Sequence, residues 1–375
     1  MKILELCMSP GLGGLELYAF RSALALSKQH QVTSVINAQG KLAERYHNYP
    51  ELVTHRLNYR RSYLPLLNAR KLAHLIDQKQ IDVIHMHWGN DLALAALAKY
   101  FSRRKPALVY TRQMQITRSK DDFYHRFLYS QMNLMLTITR ALENDARKFI
   151  RQFADRITTL YYGVAAPAKH LNAEAIKQKR AELHFSPDDF IVGLFGRLED
   201  GKGQHLLIKA IAAAKQNNIS LKALIVGHEM TPGYSTTLKK LAAELQVSDQ
   251  IHYSDFVSDP QSLMQICDCV ALTSYEETFG LVLPEAMRAG IVVIGSHAGG
   301  VPEIIDHETT GLLFEPRNVD SLYAQISRLY TNPSYKHELA MAGKNKADKV
   351  FNQDDHFQNL EVLLRKAQSG TLTAS

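Results

Sequence analysis

Short apolar runs alternate with longer segments whose apolar residues recur at helical spacing, from one end of the chain to the other. In the first half, Ile3–Cys7, Gln31–Ile36, Ile81–Met86, Ala107–Thr111 and Leu134–Ile138 read as buried strands. Leu15–Lys28, Lys71–Gln78 and Leu92–Phe101 read as helices between them. The segment Ala165-Ala-Pro-Ala-Lys169 breaks the pattern and reads as a linker. The alternation then restarts, with strands at Phe190–Phe195, Leu221–Val226, Ile251–Tyr253, Cys269–Thr273 and Ile291–Gly295. Helices are expected at Gly203–Lys215, Thr236–Leu245, Ser262–Ile266 and Val319–Tyr330. A further short helix should carry Pro284 in its first turn and Gly290 just past its end. This alternation predicts an α/β fold of mostly parallel sheets covered by helices on both faces. The expected division is residues 1–167 and 168–353, with an amphipathic helix over about 354–370 crossing back onto the first half.

An apolar content of 46% and a charged content of 22% are those of a soluble globular protein. No apolar run reaches the roughly 18 residues of a membrane-spanning helix. The N-terminal apolar stretch contains Glu5 and runs into Gly11-Leu-Gly-Gly14, so it reads as a first strand rather than a signal peptide. Three cysteines form neither a disulfide framework nor a CxxC metal pair, and reduced thiols in a cytoplasmic protein are expected. The net charge of +7 hides an asymmetry: residues 1–170 carry +13 and the remainder −6. The basic excess peaks at Arg103-Arg-Lys105 and again from Arg112 to Arg126, where Phe123, Tyr124, Phe127 and Tyr129 interleave. Such a patch attracts phosphates or anionic lipid head groups; the plainer alternative is a solvated basic face.

Several loops fall where a strand's C-terminal end meets a helix start, which is where open α/β sheets bind ligands. Gly11-Leu-Gly-Gly14 follows the first strand but is not GxGxxG, because the sixth position is Glu16. Phe195-Gly-Arg197-Leu-Glu-Asp-Gly201-Lys202-Gly203 projects two cations from one glycine-containing loop, as a diphosphate requires. A surface loop with Arg197 bridged to Glu199 or Asp200 is the competing reading. Ser274-Tyr-Glu-Glu277-Thr-Phe-Gly280 runs into the Pro284 helix, where unpaired amides and the helix dipole favour an anion beside a carboxylate that can grip hydroxyls. Gly295-Ser-His-Ala-Gly-Gly300-Val-Pro-Glu303 offers further amides. His85 and His87 share one strand face, which reads either as a substrate contact or as packed, hydrogen-bonded histidines, and the sole tryptophan, Trp88, next to them is a candidate wall for a sugar or lipid. A third zinc ligand is not evident nearby.

Together these segments resemble the retaining GT-B glycosyltransferases of sequence family 4, across essentially the whole chain and most closely in the second half. The resemblance implies two Rossmann-like domains facing each other across a cleft. The first half would take a glycan or lipid-linked acceptor and the second a nucleotide-diphosphate sugar, UDP-sugar favoured. It implies Arg197 and Lys202 on the diphosphate, Glu277 with the Phe279 and Gly280 amides on the transferred sugar, and Glu285 on the ribose. Gly13 and Gly14 would let a loop approach the donor phosphate, Gly227 belongs to the matching Val226-Gly227 pair, and His87 is the active-site histidine, with His85 in reserve. The implied reaction is metal-independent hexosyl transfer with no cofactor, in lipopolysaccharide or other cell-surface polysaccharide synthesis. The expected location is cytoplasmic, peripheral on the inner face of the membrane through the basic N-terminal half, with no nucleic-acid partner. The rival class is a non-catalytic α/β protein that binds a nucleotide sugar or another anionic ligand. Thr278 stands where glycine is commonest in the family, Tyr162 replaces the usual asparagine before Gly163, and Thr111-Arg112-Gln113 stands where a histidine is often found.

Overall fold

The computed structural model describes residues 1–59, 62–255, 257 and 259–371. It divides into two compact units, Met1–Tyr161 together with the chain from Asp354 onward, and Tyr162–Gln353. The first unit is built on seven strands: β1 Lys2–Cys7, β2 Gln31–Asn37, β3 Val53–Leu57, β4 Val83–Met86, β5 Ala107–Arg112, β6 Leu134–Thr137 and β7 Ile157–Thr159. The second has six: β8 Phe190–Phe195, β9 Leu221–Val226, β10 Ile251–Ser254, β11 Cys269–Leu272, β12 Val292–Ser296 and β13 Leu312–Phe314. The sheet orders are β3-β2-β1-β4-β5-β6-β7 and β10-β9-β8-β11-β12-β13. All the pairings are parallel, including β1 with β4 and β8 with β11, where each strand order reverses. The C-terminal ends of those four strands are the topological switch points at which α/β sheets bind ligands.

Burial explains why central strands are continuous apolar runs. β8 (FIVGLF) and β11 (CVAL) are buried at every position. Three strands were not legible in the sequence. β3 is half exposed and polar, while β7 and β13 have three residues each, too few to show a period. The helices Phe123–Ser130, Arg140–Phe149, Ala173–Glu182 and Pro333–Val350 were also missed. Ala173–Glu182 buries none of its residues, so it shows no apolar stripe, and the Phe123 helix sits inside the segment read only as a basic aromatic patch. The C-terminal helix Gln353–Ser369 packs Leu360, Leu364 and Ala367 against Ile3, Val83, Val109 and Leu136, closing one face of the first sheet.

Candidate functional site

In the second unit the loops after β8 and β11 are tied together. The Tyr275 N–H donates to the Gly201 carbonyl at 3.0 Å and the Thr273 hydroxyl to the Lys202 carbonyl at 2.8 Å. Across this seam Lys202 Nζ meets Glu277 Oε2 at 2.6 Å, and the Ser274 hydroxyl reaches the same oxygen at 3.3 Å. Arg197 is half exposed (51%) and bridges Glu199 at 2.9 Å. An exposed pair of this kind is worth only about 0.2–1 kcal/mol, less than the roughly 1.5–3 kcal/mol of a hydrogen bond to a charged group, so an arriving phosphate can take Arg197 over. Glu277 is held from behind by its main chain. The Gly300 N–H donates to the Glu277 carbonyl at 2.8 Å, and Gly299 lies at φ +57° with its Cα so close to that carbonyl that a Cβ would overlap it.

Two more glycines are required by packing. Gly227 follows β9 at φ +153°, and a Cβ there would run into the Gly196 carbonyl, directly before Arg197. Gly227→Ala is therefore expected to displace the Arg197 loop and cost on the order of 2–3 kcal/mol, read as a lowered melting transition in scanning calorimetry. Gly280 sits at φ +92°, with a Cβ only 2.7 Å from Leu272. Phe279 is buried, its ring edge-on to Tyr162 (5.3 Å) and Phe351 (5.8 Å). Glu285 lies in the first turn of the helix Val282–Arg288, and Gly290 follows that helix at φ +82°.

In the first unit a polar cluster is buried at the β1–β4 switch point. The parallel register sets Glu5 opposite His85. Glu5 Oε1 accepts from His85 Nδ1 at 3.0 Å and from the Ser22 hydroxyl at 3.1 Å, while Oε2 accepts from His87 Nε2 at 2.5 Å. Burial by itself would raise the Glu5 carboxyl, but the two imidazoles hold it down at about 2, so it is ionised. Burial lowers His87 to about 4, leaving a neutral ring at pH 7. A carboxylate can only accept, so Nε2 carries the His87 proton and Nδ1 carries a lone pair, without a hydrogen-bond partner among the described residues. The Glu5, His85 and His87 donor atoms lie within 4.8 Å of one another, as a metal would need, but they are spent on each other. Asp91, also fully buried, accepts the Met8 N–H at 2.9 Å, and burial pushes its carboxyl well above the usual range. Gly13 caps the helix Gly14–Ser27, and its own N–H is taken by Glu16 Oε2 at 2.7 Å. Gly14 is exposed, and a Cβ there would meet nothing within 4 Å.

Residues 175–346 match the family described as glycosyl transferases group 1, and residues 12–166 match glycosyltransferase family 4. The chain is a glycosyltransferase. It has the GT-B fold, and its architecture is similar to that of Anabaena HepE in complex with UDP, with a TM-score of 0.85 at 23% identity over 98% of this chain and 100% of that one. Among curated relatives, the transferase is 24% identical to the N-acetyl-alpha-D-glucosaminyl L-malate synthase of Bacillus anthracis, over 81% of each chain. It is 34% identical to a D-inositol 3-phosphate glycosyltransferase of Corynebacterium glutamicum, over 38% of this chain and 36% of that one.

The structure of the transferase brings Lys202 and Glu277 into contact and sets Arg197 on the same loop as Lys202. It places His87 and His85 in a separate unit, fully buried. Sequence reasoning missed Glu5, Asp91 and the bracing role of Gly299. A carboxylate in the middle of the apolar run Ile3–Cys7 was the available signal for Glu5, because a buried charge demands a partner.

Proposed function

We propose that this transferase moves a hexose from a nucleotide-diphosphate sugar, UDP-sugar favoured, to a hydroxyl of a glycan or lipid-linked acceptor, keeping the anomeric configuration. The Lys202–Glu277 contact at the second switch point carries the reading: it sets a fixed cation beside a carboxylate, 2.6 Å apart, between two loops at strand ends. Lys202 has two further donor positions for the diphosphate, Arg197 adds a planar fork, and Glu277 keeps Oε1 for a sugar hydroxyl. As the glycosidic bond stretches, positive charge grows at the anomeric carbon and negative charge on the departing diphosphate. Arg197 and Lys202 stabilise the latter without reorganising. Attack comes from the same face, and the leaving phosphate takes the acceptor proton. Phe279 and Gly280 form the floor under the sugar, Glu285 reaches the ribose, and the loop at Gly13 and Gly14 approaches the donor phosphate. His87, a neutral buried base braced by Glu5, orients the acceptor side.

The UDP and UDP-glucose complexes of Anabaena HepE support the choice of donor. The expected setting is cell-surface polysaccharide synthesis, lipopolysaccharide included, at the inner face of the cytoplasmic membrane. Exposed apolar side chains of the first unit such as Phe123 (89%) and Leu67 favour that placement. Among the described residues no helix is long and apolar enough to cross a membrane.

A thermal-shift screen of nucleotide sugars should show stabilisation by one UDP-sugar, followed by turnover whose product keeps the donor's anomeric configuration by proton NMR. Stabilisation without any turnover over a broad set of acceptors, or an inverted product, would refute it. Because two side-chain cations face the diphosphate, activity should be unchanged in EDTA; loss restored by magnesium or manganese would contradict this scheme.

A further inference from the structure

The basic excess of the first half separates into two groups at opposite ends of its sheet. Arg103, Arg104 and Lys105 lie at the start of β5, where Arg104 bridges Asp82 at 2.6 Å and Lys105 Nζ is hydrogen-bonded to the Tyr100 carbonyl. Arg104 and Lys105 are thus spent locally, away from the strand ends that bear ligand loops. Arg112 closes β5 at its C-terminal end, and Arg118 and Lys120 follow it in the loop. These three line a cavity of about 570 Å³ together with Trp88, Tyr110 and Tyr124.

No ion pair to Arg112, Arg118 or Lys120 is found among the described residues. Asp122 accepts from His125 at 2.5 Å and Asp121 Oδ2 from the Ser119 hydroxyl at 2.9 Å, while Asp121 Oδ1 has no hydrogen-bond partner among the described residues. The Arg112 guanidinium lies over the Tyr110 ring, 5.8 Å from its centre, and gives Nη2 to the Gln115 carbonyl at 2.8 Å, while its buried Nε has no partner among the described residues. Burial, and then the neighbouring Arg118 and Arg112, depress the Lys120 ammonium, with Asp122 opposing the shift. The wall is also built to size. A Cβ on Gly89 would stand 2.9 Å from the Tyr110 hydroxyl and 3.9 Å from Arg112 Nη1, so only glycine leaves that corner open.

We propose that this cavity holds an anionic group, a phosphate or phosphate ester, carried by the acceptor, with the acceptor's ring stacked on the aromatic wall. The volume suits a small molecule rather than a polymer chain, since such sites run to about 300–1,000 Å³. An arginine fork matches two phosphate oxygens at once, and Trp and Tyr faces receive the apolar side of a sugar or polyol ring. The assignment to an acceptor rests on the transferase mechanism proposed above. The anion binding itself rests only on the cavity.

The test is calorimetry on the full chain presaturated with UDP, titrated with pyrophosphate, glucose 6-phosphate and glucose. The UDP step separately reads the donor reading, and its failure leaves the anion titrations interpretable. The expected result is binding of both phosphorylated probes and not of glucose. Arg118→Ala/Lys120→Ala, at two loop positions, should weaken that binding about tenfold or more. Arg197→Ala should leave it unchanged. Arg112→Lys, which keeps the charge and removes the fork, should weaken pyrophosphate more than tenfold if the fork is used, about one lost charged contact. Vesicles of phosphatidylcholine with and without phosphatidic acid separate the sources: capture by phosphatidic acid that the double variant loses assigns the phosphate to a lipid, and no capture assigns it to a free phosphorylated acceptor. Unchanged affinity in the double variant, or no binding of either phosphorylated probe at millimolar concentration, overturns the proposal whatever the vesicles show.

Discussion

Lys202→Ala is expected to weaken nucleotide-sugar binding by roughly 1.5–3 kcal/mol, a factor of about ten to a hundred, and to lower kcat/KM by more than it lowers affinity. Two losses combine. The diphosphate loses a charged donor that matters most as the bond breaks, and Glu277 loses the ammonium that holds its Oε2 at 2.6 Å. Removing one member of a partly buried pair leaves the other undercompensated, so Glu277 should also lose its orientation toward the sugar. Glu277→Gln separates the effects. It keeps the shape and a hydrogen bond to Lys202, so binding of UDP alone should survive while turnover falls by at least about tenfold, the scale of one lost charge-assisted contact. Calorimetry with UDP and steady-state kinetics read the two outcomes. Undiminished UDP affinity in Lys202→Ala would remove Lys202 from the diphosphate site. Full turnover by Glu277→Gln would remove Glu277 from the sugar site.

The second large effect is on stability. His87 and His356 are both buried in the first unit, and desolvation lowers each from 6.5 to about 4. His356 is held by the Tyr18 hydroxyl at 2.9 Å and the Tyr161 carbonyl at 2.7 Å, and so fastens the C-terminal helix to the sheet it covers. A folded-state pKa below the unfolded one means that the unfolded chain binds the proton first. The stability each histidine contributes is therefore complete above about pH 6.5 and is lost as pH falls toward about 4, by about 3 kcal/mol each. Asp91 works in the opposite direction, because burial raises its carboxyl and the folded form takes up a proton before the unfolded one does. The wild-type slope is thus a difference, and the variants isolate each part. His87→Gln and His356→Gln should each flatten the dependence by about 1.4 kcal/mol per pH unit between pH 6 and 4.5. Trp88, the sole tryptophan, lies in the same unit, so its fluorescence in urea titrations follows the unit concerned. Slopes unchanged by both substitutions would mean that the imidazoles are hydrated or protonated in the native state.

The chain's periodicity determined the α/β class, the central strands and where loops join strand ends to helices, because a buried strand and an amphipathic helix each write their pattern in consecutive residues. The short helix Val282–Arg288, with Pro284 in its first turn and Gly290 past its end, was likewise legible, because its start and stop signals lie within one turn of it. Tertiary structure alone decided how those loops meet. Lys202 and Glu277 touch only because β8 and β11 are neighbours in the sheet, and Glu5 finds His85 and His87 only through the register of β1 on β4. Those partners stand 75, 80 and 82 positions apart, beyond the reach of any local pattern. The basic half likewise read as one patch along the chain, whereas the strand direction of β5 sends Arg104 and Arg112 to opposite ends of the sheet. Propensity and period are properties of neighbours in sequence, while ion pairing, burial and cavity shape depend on which strands lie side by side.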